Sequence, residues 1–184
     1  AASEGLELVS VKMGGKVIAR PGFTANGTLE IDLPELFGGA KKEGGVGGKL
    51  WWFTGSPTQT MPQVLAEKLG RTVATCPGFR GFASLWLTEP ETLTSGRPSK
   101  GFYVGANNPY LKDLSVRVRR RPIGLNPELA MIRVADDSEG NPQYGTNGAH
   151  ICYEVMTNTD WGMGEDPASF DLVLAGGTLD TLHD

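Results

Sequence analysis

Glycine and proline punctuate this chain so often that no long regular element fits between the breaks. Gly14-Gly15, Pro21-Gly22, Asn26-Gly27, Gly55-Ser56-Pro57, Pro77-Gly78 and the Pro122 to Pro127 stretch each mark a turn or a stop. Glycine reaches positive φ without a steric penalty, and proline fixes φ and removes a donor, so elements bounded by them are short. With 26 glycines, 12 prolines and 8% aromatics, the expectation is an α+β, β-rich fold of short antiparallel strands with two or three short helices. At 184 residues and 39% hydrophobic, the chain can bury a real core and matches one large or two small domains.

Between the breaks, apolar residues alternate. Leu6 to Met13 alternates with a phase slip at Leu8-Val9, Gly14-Gly15 turns the chain, and Lys16 to Ala19 resumes the pattern, which predicts a β-hairpin. Leu29, Ile31 and Leu33 share one face of a third strand that can join this hairpin. Residues 36–48, with glycines on both sides of Lys41-Lys42-Glu43, read as a loop or linker. Glycine amides can cradle phosphate, but no Gly-Lys-Ser/Thr completes that motif. Lys49 to Thr54 has the aromatic content of a packed strand. Thr60 and Gln63 form a capping-box pattern for a helix over about 61–69, with Val64, Leu65 and Leu69 on one face.

Phe79 to Leu87 is apolar on both sides, which predicts a strand buried on both faces. Phe102-Tyr103-Val104 and Ala130 to Val134 are further strand candidates, and Asp136 to Pro142 is an acidic turn. Between them Leu114, Val116 and Val118 face one way along a strand and Arg117 and Arg119 the other. The run Arg117, Arg119, Arg120, Arg121 has two readings, a charged edge that deters aggregation or an interface for an acidic partner surface. Asn147 caps a helix whose buried face is read as Ile151, Cys152, Val155 and Met156, and Asp166-Pro167 starts a last helix. The resulting organisation is strands over 1–35, the glycine-rich segment 36–48, an α+β unit over 49–120 and a second over 121–184.

Composition narrows the function classes. A formal charge of -4 and a pI near 5.3 argue against nucleic-acid binding, which draws on clustered Lys and Arg. Two cysteines, Cys76 and Cys152, exclude a disulfide framework and a Cys-rich zinc site; a thiol pair in a reducing compartment and a single disulfide are the two readings left. No apolar run approaches the roughly 18 residues of a membrane span, and no signal-peptide pattern opens the chain. The start at Ala1 without methionine, in the middle of a polar run, and the end at Thr181-Leu182-His183-Asp184 with no terminal character suggest an excerpt of a longer polypeptide.

Catalytic constellations are thin. His150 and His183 are the only histidines, and Cys152, two positions from His150 in a predicted helix, points away from it. Glu89 with Glu91, and Asp136 with Asp137, read as exposed loop acids. Asp136-Asp137-Ser138-Glu139-Gly140 lacks the alternating ligands and distal glutamate of a calcium loop. No catalytic residue, cofactor or metal site is assigned. Trp51, Trp52, Trp86 and Trp161 suggest a carbohydrate- or receptor-binding module if two or more of them line an exposed groove.

Three ordered segments carry a family resemblance. They are Phe79-Arg80-Gly81-Phe82-Ala83, after Gln59 and a short helix; Asn107-Asn108-Pro109-Tyr110 through Val118; and Gly148 to Gly164, ending in Asp160-Trp161-Gly162-Met163-Gly164. Over about residues 50 to 170 the chain resembles the hub proteins of long-tailed bacteriophages and gene transfer agents, the family that includes the tail tip attachment protein of lambda-like phages. His150, Tyr153, Glu154, Asp160, Trp161, Gly162, Met163 and Gly164 are the residues that match its motif. Gly148 stands where the family has proline, and Gly176-Gly177 interrupts what would be a more continuous helix.

The resemblance implies a fragment of a larger tail hub, a virion structural protein assembled in the bacterial host cytoplasm. It further implies a homotrimer closing the distal end of the tail tube, with distal tail protein, tape measure protein and tail fibre proteins as partners. The implied role is assembly, host attachment and DNA delivery, without chemistry. Trp161 is then expected to fill a pocket between the helix and the sheet, with Gly162 and Gly164 permitting a tight turn.

Overall fold

Turn chemistry builds the first pairing. β1 (Leu6–Met13) and β2 (Lys16–Ala19) run antiparallel across Gly14 and Gly15, which sit at φ 54° and 77° as a tight two-residue connection requires. The register slips between Val11 and Lys12, three residues beyond the phase slip in the sequence. This is a computed structural model, and it describes residues 5–39, 44–91, 101–105, 112–122, 124–126, 128–138 and 140–170. Lys41-Lys42-Glu43, Asn107-Asn108-Pro109-Tyr110, Glu139, Gly176-Gly177 and His183 lie outside the described residues. The chain divides into two compact units, 1–119 and 120–184.

β3 (Gly27–Leu33) does not extend the hairpin. It pairs antiparallel with β4 (Val46–Phe53), from Gly27 opposite Trp52 to Leu33 opposite Val46. Within the segment read as a loop or linker, Val46, Gly47 and Gly48 are the first residues of β4. Close packing explains the glycine: a Cβ on Gly48, at φ 145°, would lie 2.5 Å from both the Thr88 carbonyl oxygen and the Phe102 ring.

All eight residues of β4 are buried, so β4, and not the stretch from Phe79, is the strand covered on both faces. Leu50 and Trp52 enter a core with Leu8, Val11, Ile18, Ile31 and Val46. Trp51 and Phe53, one residue out of phase, enter a second core with Met61, Leu65, Ala66 and Cys76. That second core is roofed by α1 (Gln63–Lys68), a single short helix whose buried residues are Leu65 and Ala66, while Val64 and Leu69 are exposed.

The expected capping box does not form; α1 starts after Pro62 without a side-chain cap. Gln59 does the local ordering instead. Its Oε1 accepts from Gly55 N at 2.9 Å, its Nε2 donates to the Gly78 carbonyl at 2.7 Å, and its own carbonyl accepts from Arg80 Nε at 3.1 Å. Phe79 (φ 50°) and Gly81 (φ 81°) keep the chain turning, so β5 (Ser84–Thr88) begins five residues after Phe79. β5 pairs antiparallel with β4, Trp86 opposite Trp51, and β6 (Tyr103–Val104) pairs with the start of β4. β7 (Leu114–Arg120) lies beside β1, giving the order β2-β1-β7.

In the second unit, β8 (Met131–Asp136) and β9 (Pro142–Thr146) form an antiparallel hairpin with a bulge between Arg133 and Ala135. β9 has no strand signal in the sequence; its partner and the turn make it one. Asp137 organises that turn, accepting from Asn141 N at 2.8 Å and from Gln143 Nε2 at 3.3 Å. α2 (Gly148–Thr157) follows, capped by Asn147 as the sequence predicts, with its Oδ1 accepting from Ala149 N at 3.0 Å. Asp166 caps Pro167–Ser169, but those three residues form one 3-10 turn and Phe170 leaves it extended. The fold is thus mixed α+β and strand-rich, with two α-helices and several short antiparallel sheets among the described residues.

Candidate functional site

The residues of the 148–164 motif come together around α2, but not on the side the apolar spacing predicts. α2 buries Ala149, His150, Tyr153 and Glu154, and leaves Ile151, Cys152, Val155 and Met156 exposed. Residues 149, 150, 153 and 154 share one helix face and 151, 152, 155 and 156 the opposite one. Specific partners chose the more polar face. Tyr153 meets the Phe170 ring edge-on, 5.8 Å between centroids, and it packs against Gly124, where a Cβ would lie 2.7 Å from its ring. Glu154 meets the Arg120 guanidinium, Oε1 to Nη2 at 2.6 Å, as a close ion pair whose angle falls short of a hydrogen bond.

Past the helix, the chain folds back on its own last turn. Asn158 Oδ1 accepts from Asp160 N at 2.9 Å and Trp161 N at 3.2 Å, while Gly162 N donates to Asn158 O at 3.1 Å. Met163 N reaches Val155 O at 2.8 Å, and Glu165 N reaches Met156 O at 2.8 Å. These bonds satisfy carbonyls that a helix end otherwise leaves without partners. Gly162 permits them, because a Cβ there would sit 2.3 Å from Val155 O; Gly164 holds φ 71°.

The expectation that Trp161 fills a pocket between the helix and the sheet is overturned. Trp161 is 52% exposed and Met163 68% exposed. The reason is local: five bonds of the 158–165 turn fix its backbone, and both side chains extend from it toward solvent. The Arg120 guanidinium lies 5.6 Å from the Trp161 ring centroid. Arg120 therefore touches both Glu154 and Trp161, a role that only folding reveals.

The arginine run is split among different tasks. Arg119 donates to Glu7 Oε2 from Nε at 3.2 Å and from Nη2 at 2.8 Å, bracing β7 against β1. Arg120 serves the motif, Arg121 is half-buried and engaged, and Arg117 is exposed on β7. The interface reading of the run thus narrows to Arg117 at the surface.

The other candidates disperse. His150, 1% exposed, and Cys152, exposed, lie in different environments on α2. Cys76 and Cys152 are free thiols. Glu89 binds Lys68, and Glu91 binds the buried Lys49, so these acids serve separate ion pairs. Among the described residues no three His, Cys, Asp or Glu side chains group as metal ligands do, and no helix is long and apolar enough to cross a membrane. The tryptophans disperse as well. Trp51 and Trp52 are buried in separate cores, Trp86 is half-buried against Phe79, and Trp161 belongs to the other unit.

The arrangement therefore exposes Ile151, Val155 and Met156 on one face of the helix, and Trp161 and Met163 on the hydrogen-bonded turn that follows it. Such a face is suited to contact with another surface. No family model matches this chain, and no curated protein matches it.

Proposed function

We propose that the chain is a structural component of a bacteriophage tail tip, part of the hub that closes the tail tube and takes part in host attachment and DNA delivery. The observation that carries this reading is the outward display of Trp161 and Met163 by a hydrogen-bonded turn formed from the very residues that resemble the hub motif. Tryptophan and methionine are enriched at protein interfaces, and an ordered turn presents them at low entropic cost. In this reading the motif is a recognition surface and the chain does no chemistry.

The assembly is a homotrimer at the tail tip, adjoining distal tail protein, tape measure protein and tail fibre proteins. Mass spectrometry of purified particles, with immunogold labelling against this chain, tests it. Label confined to the tail tip is the expected result; a protein absent from particles overturns the reading.

A further inference from the structure

The dipeptide Asn-Gly occurs twice in this chain, at Asn26-Gly27 and Asn147-Gly148. An asparagine followed by glycine is prone to lose its side-chain amide, because the next backbone nitrogen can reach the side-chain carbon and glycine has no Cβ to obstruct it. The fold treats the two pairs in opposite ways.

Asn147 is 3% exposed, and both ends of its amide are held. Oδ1 accepts from Ala149 N at 3.0 Å and Nδ2 donates to the Leu129 carbonyl at 3.2 Å, so the side chain is committed to capping α2. Asn26 is exposed, and only the oxygen end of its amide is held. Oδ1 accepts from Thr54 N at 2.8 Å and from Thr54 Oγ1 at 3.1 Å, an assignment fixed by chemistry, since a backbone N–H can only donate. Thr54 itself is buried, which holds its two donors in place. Two donors converging on one amide oxygen stabilise negative charge that develops there. Gly27 is the first residue of β3, and a strand end frays at low cost, so its nitrogen is freed without opening the rest of the ladder.

We propose that Asn26 is a site of spontaneous deamidation assisted by Thr54, and that the same dipeptide at Asn147 is protected by its role as a cap. Hydroxide takes the Gly27 amide proton, and the nitrogen attacks Asn26 Cγ; the carbonyl electron pair moves onto Oδ1, which faces the Thr54 N–H and O–H. The adduct collapses as the Cγ–Nδ2 bond breaks, and Nδ2 leaves toward solvent as ammonia, taking a proton from water and restoring hydroxide. Water then opens the succinimide at either carbonyl. Opening at Cγ gives aspartate at position 26; opening at the main-chain carbonyl gives isoaspartate, which adds one carbon to the backbone where β3 begins. Either product carries one more negative charge. The inference lies outside the tail-tip reading and does not rest on it.

The full chain is incubated in mildly alkaline buffer, with and without urea, and peptide mapping by mass spectrometry follows aspartate and isoaspartate at both positions. The ratio of the folded rate to the rate in urea is expected to be at least about tenfold higher for Asn26 than for Asn147. Thr54→Val removes the hydroxyl donor at nearly constant shape; it slows Asn26 several-fold in the folded chain and leaves its rate in urea unchanged. Thr54→Ser keeps the hydroxyl and restores the folded rate, which a loss of packing alone would not do. Circular dichroism melts matched to wild type show that Thr54→Val folds; should they not match, Thr54→Ala takes its place. No conversion of Asn26 in the folded chain, equal ratios at the two positions, or a Thr54→Val rate equal to or above that of wild type overturns the inference.

Discussion

Trp51 and Trp52 are chain neighbours with different polar surroundings. Trp51 Nε1 donates to Thr88 Oγ1 at 3.0 Å, whereas buried Trp52 Nε1 has no acceptor among the described residues. Thr88→Val removes the acceptor while keeping the shape, and it is expected to cost about 1–3 kcal/mol in denaturant melts. Gln59→Leu strands Gly55 N and Gly78 O together and is expected to cost about 2 kcal/mol or more by the same measurement. Its role was illegible in the sequence, because a glutamine before a helix names neither of those partners. At the surface, the Lys68 ammonium beside Glu89 holds the carboxyl below its ordinary value, with a hydrogen bond from its own backbone adding to the effect. A depressed carboxyl stabilises the fold above the ordinary carboxylate range and loses that contribution as pH falls through its folded value. Lys68→Ala is expected to raise the Glu89 titration, followed by NMR, toward the ordinary range, with less than about 1 kcal/mol change in stability because the pair lies at the surface.

Elements, in contrast to residues, were legible where local chemistry is decisive. The Gly14-Gly15 hairpin, the Asn147 cap and the Asp166 cap follow from side chains and turn residues acting within a few positions. Orientation was less legible. α2 turned its more apolar face outward because Arg120, Gly124 and Phe170 meet Tyr153 and Glu154 on the other, and none of the three is near those residues by local spacing. The glycines of β4 read as a loop because composition does not distinguish a flexible backbone from one approached closely by Thr88 and Phe102. Gly162→Ala tests the corresponding point in the motif. Its Cβ would press on Val155 O, so the 158–165 turn is expected to open at a cost of about 1–3 kcal/mol. Loss of amide exchange protection at Met163 and Glu165 is the measurement.

For the whole molecule, the decisive contrast is between residues that hold the fold and those that face outward. Trp161→Ala removes an exposed ring and one cation–π contact, and thermal melts are expected to change by no more than about 1 kcal/mol. Under the proposed tail-tip role, incorporation into particles is expected to fall sharply in the same variant, a separation that a buried anchor would not allow. The amino-acid sequence alone determined the class of fold, since frequent breakers limit element length and alternation sets strand faces. It also marked 148–164 as the distinctive stretch. Tertiary structure alone decided that β3 pairs with β4, that Trp51 and Trp52 occupy opposite cores, and that Trp161 points to solvent. The physical reason is the same in each case: local preferences act over a few residues, whereas strand partners, ion pairs and backbone contacts join residues far apart in the chain. Arg120, which meets Glu154 and Trp161 across more than thirty residues, is the clearest instance.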